Sequence, residues 1–342
     1  PGQAFIAIPR QSANHDPLGG HGVEPRFDLL FECLVHSLRT RLKSLKNGKG
    51  LRAQVTSTRH QASILAECFS LRQTGSFGET QRRPKCRKLR SMKRSAHFSS
   101  EPFDIQLIAN IDDAYELLSN RAHWPFSSFF CNVHMLMLSR EDAELRSAMA
   151  ASEFVFADGS PVAWLQTRLT GKQAITVRGY QAMRHLCRDA ETSGHAIGLY
   201  GTTDEVLERL QARLEEWYPS LQIAWAYAPP FSEGEVLESG EPLDEINRSG
   251  IKHLFIALGC PKQEKWVHRY HDKLDCNLLA VGAAFEGLSG VEPMASKWVE
   301  RHGLTWLQRW MHHPLRHFKR YAYYNSKFLI YALGELMRNR RQ

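Results

Sequence analysis

The segment Leu258-Gly259-Cys260-Pro261-Lys262-Gln263-Glu264-Lys265-Trp266 directly follows the apolar run Leu254–Ala257. An apolar strand, a glycine turn, a proline and an amphipathic segment headed by lysine form a strand–turn–helix unit. Such a unit aims backbone N–H groups and a cation at a negatively charged ligand, typically a diphosphate. Ala157-Asp158-Gly159-Ser160-Pro161 and Val281-Gly282-Ala283-Ala284-Phe285-Glu286-Gly287 follow the same plan. Three such turns in one chain suggest an enzyme that handles a nucleotide diphosphate.

Asp158 sits after an apolar strand and before a glycine, so its carboxylate projects into a cleft, where it can act as general base toward a hydroxyl. The same placement also suits an Asx-turn or the cap of a helix that starts at Pro161. Asn132 and His134 follow Phe129–Cys131, and strand alternation puts both on one face with Val133 on the other. There Asn132 suits a hydrogen bond to a sugar or a loop, and His134 suits the core. Gly198-Leu199-Tyr200-Gly201 ends a strand in a form that allows close backbone approach to a phosphate. The G-x-G-x-x-G and Walker A patterns are absent from the sequence, which argues against NAD-dependent redox chemistry and ATP hydrolysis. A D-x-D pair is absent too. Sugar transfer would therefore rely on Lys, Arg and backbone N–H groups to neutralise the diphosphate, and no metal or other cofactor is expected.

Elements must bring these residues together. Apolar strand-like runs alternate with amphipathic ones: Phe129–Leu138 then Glu141–Met149, Phe154–Ala157 then Val162–Leu169, and Ala196–Tyr200 then Glu205–Trp217. Gln222–Tyr227 follows, then Leu254–Leu258 before Gln263–Tyr270, and last Leu278–Val281. The alternation predicts an α/β, Rossmann-like, mostly parallel sheet flanked by helices. In such sheets ligands bind beyond the carboxyl ends of the strands, where Asp158, Gly201, Gly259 and Gly282 all fall.

Charge divides the chain. Residues 1–100 carry 18 Lys and Arg against 6 Asp and Glu, residues 297–342 carry 10 against 2, and the middle carries 16 against 28. An acidic middle is unsuited to nucleic acid, whereas basic ends suit an anionic surface, whether lipid headgroups or nucleic acid. Three parts follow: a basic, poorly ordered extension over 1–100, an α/β domain over 101–296, and a C-terminal helical appendage over 297–342. In the appendage, tryptophans and tyrosines interleave with Arg309, Arg316, Lys319 and Arg320, and Pro314 divides two helical pieces. No apolar run approaches the roughly 18–20 residues that span a bilayer. Seven scattered cysteines without C-x-x-C spacing fit a reducing cytoplasm.

The joint pattern is more specific than its parts. It comprises Asn132, Asp158-Gly159-x-Pro161, Arg178-Gly179, Gly198–Gly201, Gly259 through Trp266, Val281 through Phe285, and Gly303-Leu304-x-Trp306-Leu307-x-Arg309. In order and spacing this set resembles the WecG/TagA/CpsF glycosyltransferases, over residues 103 to 335. The resemblance implies an inverting transferase that moves a sugar from a UDP-sugar donor to a polyprenyl-diphosphate-linked acceptor, peripheral to the inner face of a bacterial plasma membrane. It implies Asp158 and Gln263 as catalytic residues. It also implies substrate contacts at Asn132, Gly159, Arg178, Gly201, Gly259, Pro261, Lys262, Glu264, Gly282, Phe285 and Glu286. Arg309, Arg316, Lys319 and Arg320 would meet membrane or diphosphate. The chain departs from the family at Phe130, where threonine is usual, and at Glu286, where aspartate is common. A silent nucleotide-sugar-binding relative and a non-lipid acceptor stay open, as do the donor sugar and a homo-oligomeric state.

Overall fold

A computed structural model describes residues 96–97, 104–230, 242–296, 299 and 314–341. Apart from Ala96–His97, the basic extension lies outside the described residues, and so does Arg309. Six strands form one parallel sheet: β3 (Ser127–Cys131), β4 (Phe154–Ala157), β5 (Ala196–Gly201), β6 (Gln222–Tyr227), β7 (His253–Ala257) and β8 (Asn277–Ala280). Their spatial order is β4-β3-β8-β7-β5-β6. Ahead of them, β1 (Ala96–His97) and β2 (Asp104–Ile105) make a small antiparallel pair. The expected mostly parallel α/β sheet is what the chain builds.

Five of the six strands are apolar on both faces because helices cover both, as parallel sheets require. Alternation sorts each strand between two cores. Phe129, Val155, Tyr200, Leu254, Ile256 and Leu278 face one side. That side is covered by α2 (Val133–Ser139), α3 (Ala143–Ala151), α4 (Ser160–Thr170), α7 (Leu243–Ser249), α8 (Lys262–Tyr270) and α10 (Pro314–Asn339). Phe130, Phe156, Leu199, Phe255 and Leu279 face the other. There α1 (Ile111–Ser119), α5 (Gly179–Ser193), α6 (Asp204–Trp217) and α9 (Ala284–Ser289) pack. The outer strand β6 stays largely exposed.

One expectation changes. The apolar run Phe129–Leu138 is not one strand: β3 ends at Cys131, and Asn132 caps α2 by accepting a hydrogen bond from the Met135 N–H at 3.1 Å. Asparagine competes well for a free helix-end N–H, and that local bond stops the strand. Asn132 and His134 therefore do not share a strand face. His134 instead lies edge-on to Tyr324 of α10, with ring centroids 4.6 Å apart. Pro314 heads the continuous 26-residue α10, where a proline costs no hydrogen bond, and the helical piece expected before it lies outside the described residues.

The topology fixes where a ligand can enter. From β5 the chain passes through α6 on one face to the outer strand β6. From neighbouring β7 it passes through α8 on the opposite face, inward to β8. Loops that diverge to opposite faces leave a crevice at the carboxyl ends of β5 and β7. Gly201 lines that edge with φ +120°, and a Cβ there would lie 2.5 Å from the Ala257 carbonyl carbon and oxygen. Gly201→Ala should thus lower unfolding stability by about 2 kcal/mol or more, measured by denaturant titration. A change within experimental error would mean that the β5–β7 rim can yield.

Candidate active site

Five strand ends converge on one rim. Asp158 follows β4, Asn132 follows β3, Gly282 lies just beyond β8, Gly259 beyond β7, and Gly201 closes β5. The Asp158 N–H donates to the Cys131 carbonyl at 2.8 Å, continuing the β3–β4 ladder into the turn. Asp158 is half-buried, and the cap of α4 is Gly159, which makes no side-chain cap bond. β4 and β8 flank β3, so Asp158 and Gly282 stand roughly two strand spacings, or about 10 Å, apart across the rim. That gap has the width of a sugar ring with a neighbouring phosphate.

Arg178 crosses the gap. The Val177 N–H donates to the Ala157 carbonyl at 2.9 Å, at the end of β4. Two residues on, a Cβ at Gly179 would meet the Val281 carbonyl oxygen at 2.9 Å, at the end of β8. Only glycine lets the backbone approach so closely. Between these anchors Arg178 is half-buried at the head of α5, with its N–H donating to Gln181 Oε1 at 3.0 Å.

The turn after β7 is knitted to β8 by one side chain. Gln263, only 4% exposed, accepts from the Gly259 N–H through Oε1 at 3.2 Å. Its Nε2 donates to the Ala280 carbonyl at 3.2 Å and to Glu264 Oε1 at 2.7 Å. Gly282 lies against the same amide, since a Cβ there would be 3.4 Å from Gln263 Oε1. The turn itself runs through a cis Cys260–Pro261 peptide into α8, whose first residue is the half-buried Lys262.

On its outer side α8 is clasped to α3. Lys265 Nζ stands 2.8 Å from Asp142 Oδ2 and 3.0 Å from Glu144 Oε2. Partial burial works against both charges, yet their mutual bond prevails: Asp142 is held below and Lys265 above its ordinary value. On its inner side the fully buried Trp266 packs on Tyr200 and Tyr270, with centroids 5.0 and 5.2 Å away.

The expected substrate contacts differ in exposure. Glu264 and Phe285 are both fully buried. Gly201 is buried, Gly259 exposed, and Gly159, Pro261, Gly282 and Glu286 half-buried. Phe130 stacks on Phe156 in the second core, 5.9 Å between centroids, so the bulk at the family's threonine position is absorbed by packing. Arg316, Lys319 and Arg320 fall on the first turns of α10. Among the described residues, no group of three or more His, Cys, Asp or Glu is placed to share a metal ion.

The Lys265 clasp and the Glu264 bond to Gln263 were not read from the sequence. Asp142 and Glu144 are far from Lys265 in the chain, and Gln-Glu at a helix start looks like ordinary surface.

Residues 103–342 match the model of the glycosyl transferase WecG/TagA/CpsF family. The chain belongs to that family, and is a glycosyltransferase. Among curated relatives, an N-acetylglucosaminyldiphosphoundecaprenol N-acetyl-beta-D-mannosaminyltransferase of Bacillus subtilis strain 168 is 25% identical over 186 residues, 54% of this chain and 71% of that protein. One of the same name from Bacillus spizizenii strain W23 is 26% identical over 178 residues, 52% of this chain and 67% of that protein. A Staphylococcus aureus NCTC 8325 protein, also of that name, is 24% identical over 159 residues, 46% and 61% of the two chains.

Burial pushes the Glu264 carboxyl up to about 7, against the bonds from the Gln263 amide and the Cys260 thiol that favour its charge. A carboxyl raised on folding binds more protons in the native state, so it lowers stability as pH rises from its ordinary value toward the folded one. Unfolding free energy of Glu264→Gln relative to the parent should therefore climb between pH about 4.5 and about 7 and level off above. A difference that stays flat across that window would place the carboxyl at its ordinary value.

Proposed function

We propose that this transferase moves a sugar from a UDP-sugar to an undecaprenyl-diphosphate-linked saccharide in cell-envelope glycan synthesis, with inversion and without a metal ion. The observation that carries this reading is the rim itself. One half-buried carboxylate at the end of β4 shares the rim with the turn after β7, three strand spacings or about 14 Å away, whose lysine heads α8 and suits a diphosphate. The acceptor class comes from the relatives' names, which specify a diphosphoundecaprenol-linked N-acetylglucosamine as the molecule acted on and N-acetylmannosamine as the sugar moved.

In the proposed step, Asp158 takes the proton of the acceptor hydroxyl as that oxygen attacks the anomeric carbon. The bond between that carbon and the diphosphate oxygen breaks on the opposite side, and the electron pair leaves with UDP. Lys262 at the head of α8 and Arg178 at the head of α5 would offset the charge that develops on the leaving group. Gln263 keeps the turn that carries Lys262 at a fixed distance from β8. General-base assistance contributes typically about 10²–10⁴-fold, and the rest comes from holding donor and acceptor together.

The decisive assay is UDP release from a panel of UDP-sugars, with and without a polyprenyl-diphosphate-GlcNAc analogue, in EDTA. Acceptor-dependent release is expected, and Asp158→Asn should keep UDP binding while losing at least about 10²-fold in turnover. UDP binding with no release from any donor would favour a silent relative. Full turnover by Asp158→Asn would remove the base assignment.

The C-terminal helix supports a membrane-facing role. Among the described residues no helix is long and apolar enough to cross a bilayer. α10 instead buries Phe328, Tyr331 and Ala332 in the core and leaves Tyr323, Ile330 and Met337 exposed, seven residues apart on its outer face. Arg338, Arg340 and Arg341 close that end. An amphipathic helix of this kind suits the interface of an anionic membrane. Ile330→Ser with Met337→Ser should cut co-sedimentation with phosphatidylglycerol vesicles severalfold and leave the fold intact by circular dichroism. Unchanged co-sedimentation would assign membrane contact to another part of the chain.

A further inference from the structure

The least expected group near the rim is a carboxylate that touches no solvent. Glu264 is fully buried at the start of α8, directly behind Gln263. Its Oε1 accepts from Gln263 Nε2 at 2.7 Å, while its Oε2 is buried with no hydrogen-bond partner. Burying a carboxyl so incompletely satisfied is costly, and a hydrophobic side chain of similar size would hold α8 against the sheet more cheaply. Its shortest polar contact is with the side chain that joins the β7 and β8 turns, and the Cys260 thiol also favours its charge. We propose that Glu264 is a positioning residue, which fixes the Gln263 amide with its oxygen toward the Gly259 turn and so sets the spacing of the diphosphate-binding rim. The proposal rests on the glycosyl-transfer reading of this site and deepens it.

Every partner of the amide selects the same orientation. The Gly259 N–H requires an acceptor, whereas the Ala280 carbonyl and the Glu264 carboxylate require a donor. Rotating the amide by half a turn would oppose oxygen to oxygen twice and N–H to N–H once. The Glu264 bond is the shortest of the three and the one assisted by charge, so it contributes most. With the orientation fixed, Oε1 accepts from Gly259 and Nε2 donates to Ala280, so the turn after β7 cannot drift from β8.

The lock depends on the charge of Glu264, which burial brings to neutrality at about pH 7. Few groups act on that charge. The Cys260 thiol favours it from the preceding turn, and β8 offers only the Ala280 carbonyl through Gln263. From α10, Tyr324 lies edge-on against His134 of α2. From α3, Asp142 and Glu144 are already joined to Lys265, and His268 lies one turn further along α8. Ionised Glu264 holds the amide, and protonation releases its strongest bond.

The test is a cycle of four full-length proteins: the parent, Glu264→Gln, Gln263→Ala and the double variant, each assayed for UDP release from pH 5 to 9 alongside its unfolding midpoint. Glu264→Gln should lower kcat about 10-fold at pH 8, with little change in KM, and should abolish the decline of kcat that the parent shows below neutral pH. In the Gln263→Ala background the same substitution should cost less than about 2-fold. Should Glu264→Gln fail to fold, Glu264→Met replaces it with the same expectations. An equal loss in both backgrounds, or a retained decline below neutral pH, would overturn the proposal. If the parent itself transfers no sugar, the reading of the function fails. The same cycle is then read from the Kd for UDP, where non-additivity upholds the positioning role and additivity overturns it.

Discussion

Everything at the rim depends on a sheet that is parallel throughout and joined by right-handed crossovers. A parallel strand cannot be linked to its neighbour by a tight turn, so each return passes over one face in a helix. Outward and inward returns must use opposite faces. The outward step from β5 to β6 is covered by α6 and the inward step from β7 to β8 by α8, on opposite sides of the sheet. The crevice between them is a consequence of chirality and needs no residue of its own. What the residues do is furnish it, because every strand's carboxyl end delivers one short turn to the same edge.

α8 shows how stability and chemistry are divided within nine residues. Trp266, Val267 and Tyr270 fill the core, and Lys265 binds the helix to α3, so its position is secured without help from its first turn. That leaves Lys262, Gln263 and Glu264 free to be chosen for other reasons. A lysine at the N-terminus of a helix opposes the helix dipole, and a buried carboxyl with an unpaired oxygen lowers stability. Two locally unfavourable choices on one turn, beside an otherwise well-made helix, are the kind of departure that marks a working site.

The sheet was legible because its strands are buried on both faces: Phe154–Ala157, Ala196–Tyr200, Leu254–Leu258 and Leu278–Val281 are apolar without interruption, bounded by glycine or aspartate. Asp158, Gly201, Gly259 and Gly282 were legible for the same reason, since a strand's end is visible wherever its apolar run stops. The split between β3 and α2 was hidden, because Val133 through Leu138 is as apolar as the strand before it and the break rests on one hydrogen bond from Met135 to Asn132. α5 escaped notice although Arg178-Gly179 was recognised, for its apolar residues are spaced among charged ones and no strand directly precedes it. Glu264 could not be assigned from composition. A glutamate in a polar helix start reads as solvated, and only packing against β8 reveals that it is enclosed.

The C-terminal helix joins the two ends of the proposed reaction in one body. Its inner face is fixed by Phe328, Tyr331 and Ala332, by the ion pair of Lys327 with Glu141, and by Arg140 stacked over the Tyr331 ring at 4.5 Å. Held this way, α10 presents Tyr324 to His134 and to the neighbourhood of Cys260, the residue whose thiol favours the charged form of Glu264. Its outer face carries the exposed apolar stripe. A lipid-linked substrate has a chain that must stay in the bilayer and a diphosphate that must reach the rim. In the proposed reading, a helix seated in the core on one side and open on the other serves both. The basic end would face an anionic surface and the acidic remainder would be held off it.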